Sequence, residues 1–64
     1  MEYTIVIEPE TNPDFQGFFT AYCPALPGCA TYGKSIEESQ KNIREAIWLY
    51  LENLQANGRP IPED

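Results

Sequence analysis

Residues 2–8, EYTIVIE, alternate with period two and are rich in β-branched side chains, which predicts a strand. Its pleat puts Tyr3, Ile5 and Ile7 on one face and Thr4, Val6 and Glu8 on the other. PETNPDFQG, residues 9–17, interrupts the pattern with prolines, Asn12, Asp14 and Gly17, a loop composition. FFTAYC, residues 18–23, predicts a second strand with Phe18, Thr20 and Tyr22 opposite Phe19, Ala21 and Cys23. After PALPG, the short run CATY, residues 29–32, predicts a third strand that ends at Gly33. Connections this short favour an antiparallel meander.

The period changes at Ser35. Ser35 as N-cap with Glu38 three residues on is a capping box, and Glu37 and Glu38 suit the positive end of a helix dipole. Ile36, Ser39, Ile43, Ala46, Ile47, Tyr50, Leu51 and Leu54 then share one side at helical spacing. The spacing predicts a helix over 36–57, closed by Gly58 and Pro60 and followed by the extended tail RPIPED. Such a helix is roughly 30 Å long, against about 20 Å for the strands, so it should overhang its sheet. Trp48 and Leu49 sit off the main stripe on opposite flanks. A wide apolar helix on so small a sheet predicts a homodimer or higher oligomer.

The picture is therefore a single domain, residues 1–64, of α+β class: a three-stranded antiparallel sheet packed by one long helix. A chain of 64 residues lies near the lower limit for independent folding, which adds weight to self-association. Ten Asp and Glu against four Lys and Arg give a formal charge of −6 with no histidine. Lys34, Lys41, Arg44 and Arg59 are too few and too scattered to neutralise phosphates, so direct nucleic-acid binding is not expected and a basic partner fits better. No stretch has the apolar length of a membrane span and the acidic N-terminus is no signal peptide, so a cytoplasmic location is the expectation.

Candidate chemistry is sparse. Cys23 and Cys29, in CPALPGC, lack the C-x-x-C spacing of a redox pair and the further Cys or His ligands of a zinc site. A disulfide between them is geometrically available at adjacent strand ends, but a reducing compartment disfavours it. They read as small apolar residues flanking a stiff turn. Glu8, Glu10 and Asp14 are the carboxylates that a metal-dependent nuclease would use, yet no nucleophile–base pair accompanies them and the turn-rich setting makes them ordinary. No catalytic residue, metal or cofactor is expected.

YTIVIEPE, GFFTAYCPALPGCATYGKSIEES, NIREAIWLYL and GRPIP occur here in order, and together they resemble the HicB family of antitoxins in its N-terminal domain. The most specific part is the aromatic strand running into CPALPGC, followed by GKSIEE. The resemblance implies a partial RNase H-like fold, β-β-β-α, in which the tail around Ile61 could add a short fourth edge strand. It also implies a binding function: covering the active surface of a small basic toxin, a HicA-type mRNA-cleaving ribonuclease. The C-terminal DNA-binding domain common in that family is not found before Asp64, which places transcriptional autoregulation in doubt. On this reading Glu37, Glu38, Glu45 and Glu52 contribute charge to partner binding and Trp48 is the apolar anchor. The alternatives are a degenerate RNase H-type nuclease using Glu8, Glu10 or Asp14, and a self-associating module without a toxin.

Overall fold

The computed structural model describes residues 2–64. Three strands, β1 (Val6–Pro9), β2 (Phe19–Tyr22) and β3 (Ala30–Gly33), form an antiparallel sheet in the order β1-β2-β3, and one helix, α1 (Ile36–Ala56), packs on it. The α+β meander read from the sequence is the architecture observed. The register pairs Ile7 with Ala21 and Ala21 with Thr31, and in the next rows Glu8, Thr20 and Tyr32 lie side by side. The strands are shorter than their patterns. β1 begins at Val6 because its partner, β2, ends at Tyr22, so Tyr3 to Ile5 have no strand to pair with.

What ends β2 is the CPALPGC connection, built as two successive β-turns. The Leu26 N–H donates to the Cys23 carbonyl at 3.1 Å and the Cys29 N–H to the Leu26 carbonyl at 3.0 Å. Each turn has proline at its second position, where a fixed φ is already correct. The second also needs positive φ at its third position, and Gly28 provides it at 80°. The Cys23 N–H closes the loop onto the Cys29 carbonyl at 3.1 Å. This geometry turns Leu26 inward. The buried apolar core is Ala21, Cys23, Leu26, Cys29 and Ile43, so three of its five members come from this one loop. Tyr3, Ile5, Ile7, Ala46, Ile47, Tyr50 and Leu51 pack around it, and the Tyr50 hydroxyl donates to the Pro27 carbonyl at 2.9 Å.

The helix is held at both ends by its own sequence. Ser35 Oγ accepts from the Glu38 N–H at 3.0 Å, while Glu38 Oε1 accepts from Lys34 N–H at 3.1 Å, one residue earlier than the expected capping-box donor. At the far end Gly58 has φ 66°, its N–H donates to the Gln55 carbonyl, and the Arg59 N–H donates to the Leu54 carbonyl, a Schellman closure. Close approach to the sheet rests on Gly33. A Cβ there would lie 2.7 Å from Ser39 Cα and 2.9 Å from the Glu38 carbonyl carbon, both backbone atoms. Ser39 is correspondingly buried and returns its hydroxyl to the Ile36 carbonyl at 2.9 Å.

Two expectations change. The tail forms no fourth strand: Pro60 and Pro62 flank Ile61 and lack the N–H groups a ladder needs. It is instead clasped to the chain start, Tyr3 hydroxyl to the Pro62 carbonyl and Thr4 N–H and Oγ1 to the Asp64 carboxylate at 2.9 and 2.6 Å. Ile36, counted on the apolar stripe, is half exposed because it stands in the first turn, beyond the edge of the sheet. The RNase H-like label has no support in these elements beyond the strand–helix order. Among the described residues no helix is long and apolar enough to cross a membrane.

Gly33→Ala should destabilise the protein by about 2–3 kcal/mol, since backbone rather than a mobile side chain must yield. Gly28→Ala, which meets no atom within 4 Å but keeps a positive φ, should cost about 1 kcal/mol. Urea midpoints of the two variants at constant m-value test the order.

Candidate functional site

Helix α1 covers one face of the sheet only, and it lies over β3 and β2 while barely touching β1. Two surfaces are left uncovered: the second face of the sheet and the outer face of the helix. At 40 × 19 × 15 Å the molecule is elongated, with a radius of gyration of 12.6 Å. A compact chain of this length would have about 11 Å.

The open sheet face carries the residues that alternate away from the core: Val6, Glu8, Phe18, Thr20, Tyr22, Ala30 and Tyr32. Phe15, lifted by a short 3-10 turn (Pro13–Phe15), stacks on Tyr32 with ring centroids 6.0 Å apart and meets Phe18 edge-on at 6.2 Å. Phe15 and Tyr32 remain 45% and 52% exposed, so an aromatic platform faces solvent. Two carboxylates border it in fixed positions. Glu8 accepts from the Tyr22 hydroxyl at 3.3 Å, and the carboxylate pushes that phenol above its ordinary value. Glu10 accepts from the Thr11 and Asn12 N–H groups through Oε1 and from the Thr20 hydroxyl through Oε2 at 2.9 Å. Foremost the Asn12 N–H, then the Thr20 hydroxyl, hold its carboxyl below the ordinary value. Glu10 is thus the clip that ties the residue 9–17 loop to β2. Sequence reading placed Glu8, Glu10 and Asp14 in loop and strand but missed the platform. Tyr32 and Phe15 reach it only through strand register and a turn that local patterns do not specify.

Of the helix residues expected to bind a partner, Glu45, Trp48 and Glu52 are brought onto one exposed strip at i, i+3 and i+7. Glu37 lies on the same side, two turns towards the helix start. Glu38 is spent in the cap. Trp48 is 68% and Leu49 63% exposed. Trp48 borders an open groove of about 460 Å³ whose apolar walls are Tyr3, Ile5, Ile47 and Leu51, and a smaller depression floored by Leu51 and Ile61. The groove lies between the helix and the chain start that precedes β1, on the side where the helix touches the sheet least.

The cysteines are free thiols, both buried. Burial first, and the neighbouring Cys23 second, pushes the Cys29 thiol above its ordinary value, the opposite of an activated nucleophile. No three Cys, Asp or Glu side chains converge closely enough to hold a cation among the described residues.

Two outcomes follow from these contacts. Glu10 contributes stability that is present above its unfolded value near 4.5 and lost as pH falls through its lower folded value. Thr20→Val should therefore move its titration midpoint up towards the ordinary value, as followed by carboxyl carbon NMR shifts. Cys23 and Cys29 should resist iodoacetamide in the native protein and both react once it is unfolded in urea; mass spectrometry counts the adducts.

Comparison with known proteins bears on these surfaces. The chain is 42% identical to a UPF0150 protein of Thermoplasma acidophilum over its whole length and 87% of that protein. It is also 42% identical to one of Synechocystis over 97% of this chain and 73% of the other. A UPF0150 protein of Helicobacter pylori is 50% identical over 81% of this chain and 65% of its own. No solved structure matches. The family model for the HicB-like antitoxin of bacterial toxin–antitoxin systems matches residues 3–64, from the clasped chain start through the aromatic platform and helix to the tail, and the chain belongs to that family.

Proposed function

We propose that the protein neutralises a small, basic, RNA-cleaving toxin of the HicA type by laying its open sheet face over the toxin's RNA-binding surface. Family membership supports an antitoxin role, and with it a toxin partner and a non-enzymatic mode of action. The observation that selects the face is the distribution of charge. Residues through Gly33 contain four carboxylates and no Lys or Arg, a formal −4; from Lys34 onward six carboxylates meet four cations, a formal −2, which together make the −6 of the chain.

Cations along α1 therefore weaken the field of its glutamates, whereas around Glu8, Glu10 and Asp14 the first cation is Lys34, at the end of β3. A ribonuclease surface that attracts phosphates presents Lys and Arg, and an anionic rim around exposed aromatic rings offers both ion pairs and cation–π contacts to them. The internal bonds of Glu8 and Glu10 keep those carboxylates placed before the partner arrives, so little ordering entropy is lost on binding. Glu37, Glu45 and Glu52 on this reading contribute to the long-range field and not to the contact.

An RNA-cleavage assay with a HicA-type toxin tests this reading. The wild-type chain should inhibit cleavage stoichiometrically. Glu8→Lys and Asp14→Lys should each slow association about tenfold and flatten its salt dependence, while Glu45→Lys changes little. Absence of inhibition would refute the antitoxin role for this toxin class; inhibition lost on Glu45→Lys but not on Glu8→Lys would move the contact to the helix.

A further inference from the structure

We infer that Thr20 is the floor of an arginine site on the open sheet face, where one guanidinium of the partner stacks on Tyr32 and is held by Glu8. This deepens the proposed function and rests on it for the identity of the partner, and it assigns the contact to one side-chain chemistry.

β2 is the central strand, so Thr20 has neighbours on all four sides of the open face. Along the strand, Phe18 and Tyr22 stand two residues before and after it, about 7 Å away in each direction. Phe18 continues the ladder beyond β2, since its carbonyl accepts the Glu10 N–H at 2.9 Å. Across the sheet the register sets Glu8 beside Thr20 on β1 and Tyr32 beside it on β3, each about 4.8 Å from strand to strand. Three aromatic side chains and one carboxylate therefore surround the shortest side chain of the group. The Thr20 hydroxyl is already bound to Glu10 Oε2 at 2.9 Å, which fixes the floor.

The walls are of two kinds. Phe15 lies nearly parallel to Tyr32, with 16° between the ring planes, and Tyr32 is still 52% exposed, so this stack ends in solvent. A guanidinium is planar and weakly hydrated and keeps its N–H donors in its own plane. It can lie on a ring and hydrogen-bond sideways at once. The sideways acceptor is Glu8. Its Oε1 takes the Tyr22 hydroxyl at 3.3 Å, while Oε2 takes no hydrogen bond among the described residues. Glu10, by contrast, commits both oxygens to Thr11, Asn12 and Thr20 within its own loop. A lysine ammonium is compact and strongly hydrated and has no plane to stack. A quaternary ammonium brings no N–H for Glu8. Ring plane and open carboxylate oxygen together select arginine. Charge agrees, because no Lys or Arg occurs before Lys34, which follows β3 opposite Phe18, at the rim of the well farthest from Glu8.

Proton–nitrogen correlation NMR of the isotope-labelled chain, titrated in parallel with N-acetyl-arginine amide and N-acetyl-lysine amide, reads the selection. Both probes carry one positive charge. The arginine amide should shift the Glu8, Thr20 and Tyr32 amides with a Kd on the order of a millimolar. The lysine amide should bind about fivefold more weakly or worse. Tyr32→Leu, its fold checked by circular dichroism, should erase the difference between the two probes. Glu8→Gln should weaken the arginine amide about tenfold, and Glu45→Gln on the helix should leave it unchanged. Equal binding of both amides, shifts confined to α1, or a preference unmoved by Tyr32→Leu would each overturn the site. The cleavage assay separates this from the antitoxin reading. Inhibition together with equal binding of the two amides keeps the antitoxin and sinks the arginine site; arginine-selective binding without inhibition keeps the site and sinks that toxin class.

Discussion

The burial of Leu26 is the constraint on which the rest of this small protein depends. A meander of four-residue strands has almost no interior of its own, and one helix can cover only one side of it. The chain supplies the missing volume from a loop. Two turns, each started by a proline and the second completed by Gly28, fold CPALPGC back so that Leu26, Cys23 and Cys29 close the space between Ala21 on the sheet and Ile43 on the helix. Proline in both turns lowers the entropy of the unfolded loop, so fixing it costs less than a seven-residue connection normally would. The cysteines serve because they are small and apolar, not because they are reactive.

Such a core dictates a close fit elsewhere. With Ala21 and Gly33 as the facing sheet residues, the helix start settles almost onto the sheet backbone, and Ser39 occupies the contact where a larger side chain would not go. The helix start is therefore pinned against the end of β3, and the helix makes little contact with β1. Sparse contact with β1 leaves the groove beside Trp48, and the single-sided packing leaves the aromatic platform on the other face. Both exposed surfaces are consequences of the same economy: a core that needs only one loop, one helix turn and one small strand residue leaves everything else outside.

The fold was largely legible in the sequence, for reasons that are local. Period-two runs, a Ser35 cap and a Gly58 stop each depend on neighbours a few residues away, and each element stands near where its pattern put it, with β1 and β3 shortened at the start and running one residue further at the end. The core was less legible. Leu26 sits between two prolines in what reads as a connection, and only the geometry of two consecutive turns reveals that it points inward. The tail is extended, as its prolines imply, and the short edge strand that the family resemblance allowed around Ile61 is absent because those prolines remove the donors a strand requires. The platform depends on register: Tyr32 and Phe15 meet across 17 residues, a separation at which no periodicity carries information.

Charge and shape then divide the molecule in a way neither would alone. The segment through Gly33 has carboxylates and aromatic rings but no Lys or Arg, so its like charges are unopposed within it. From Lys34 onward the signs are mixed, with Arg44, Glu45 and Glu52 around an exposed tryptophan, so the long-range field of the helix is weaker. Unmixed charge recruits from a distance and tolerates imprecise registry; alternating charge does little at a Debye length but discriminates at contact. The two patterns lie on opposite sides of the molecule. Here the sheet stands between them, and the loop that carries Leu26 holds the helix against it.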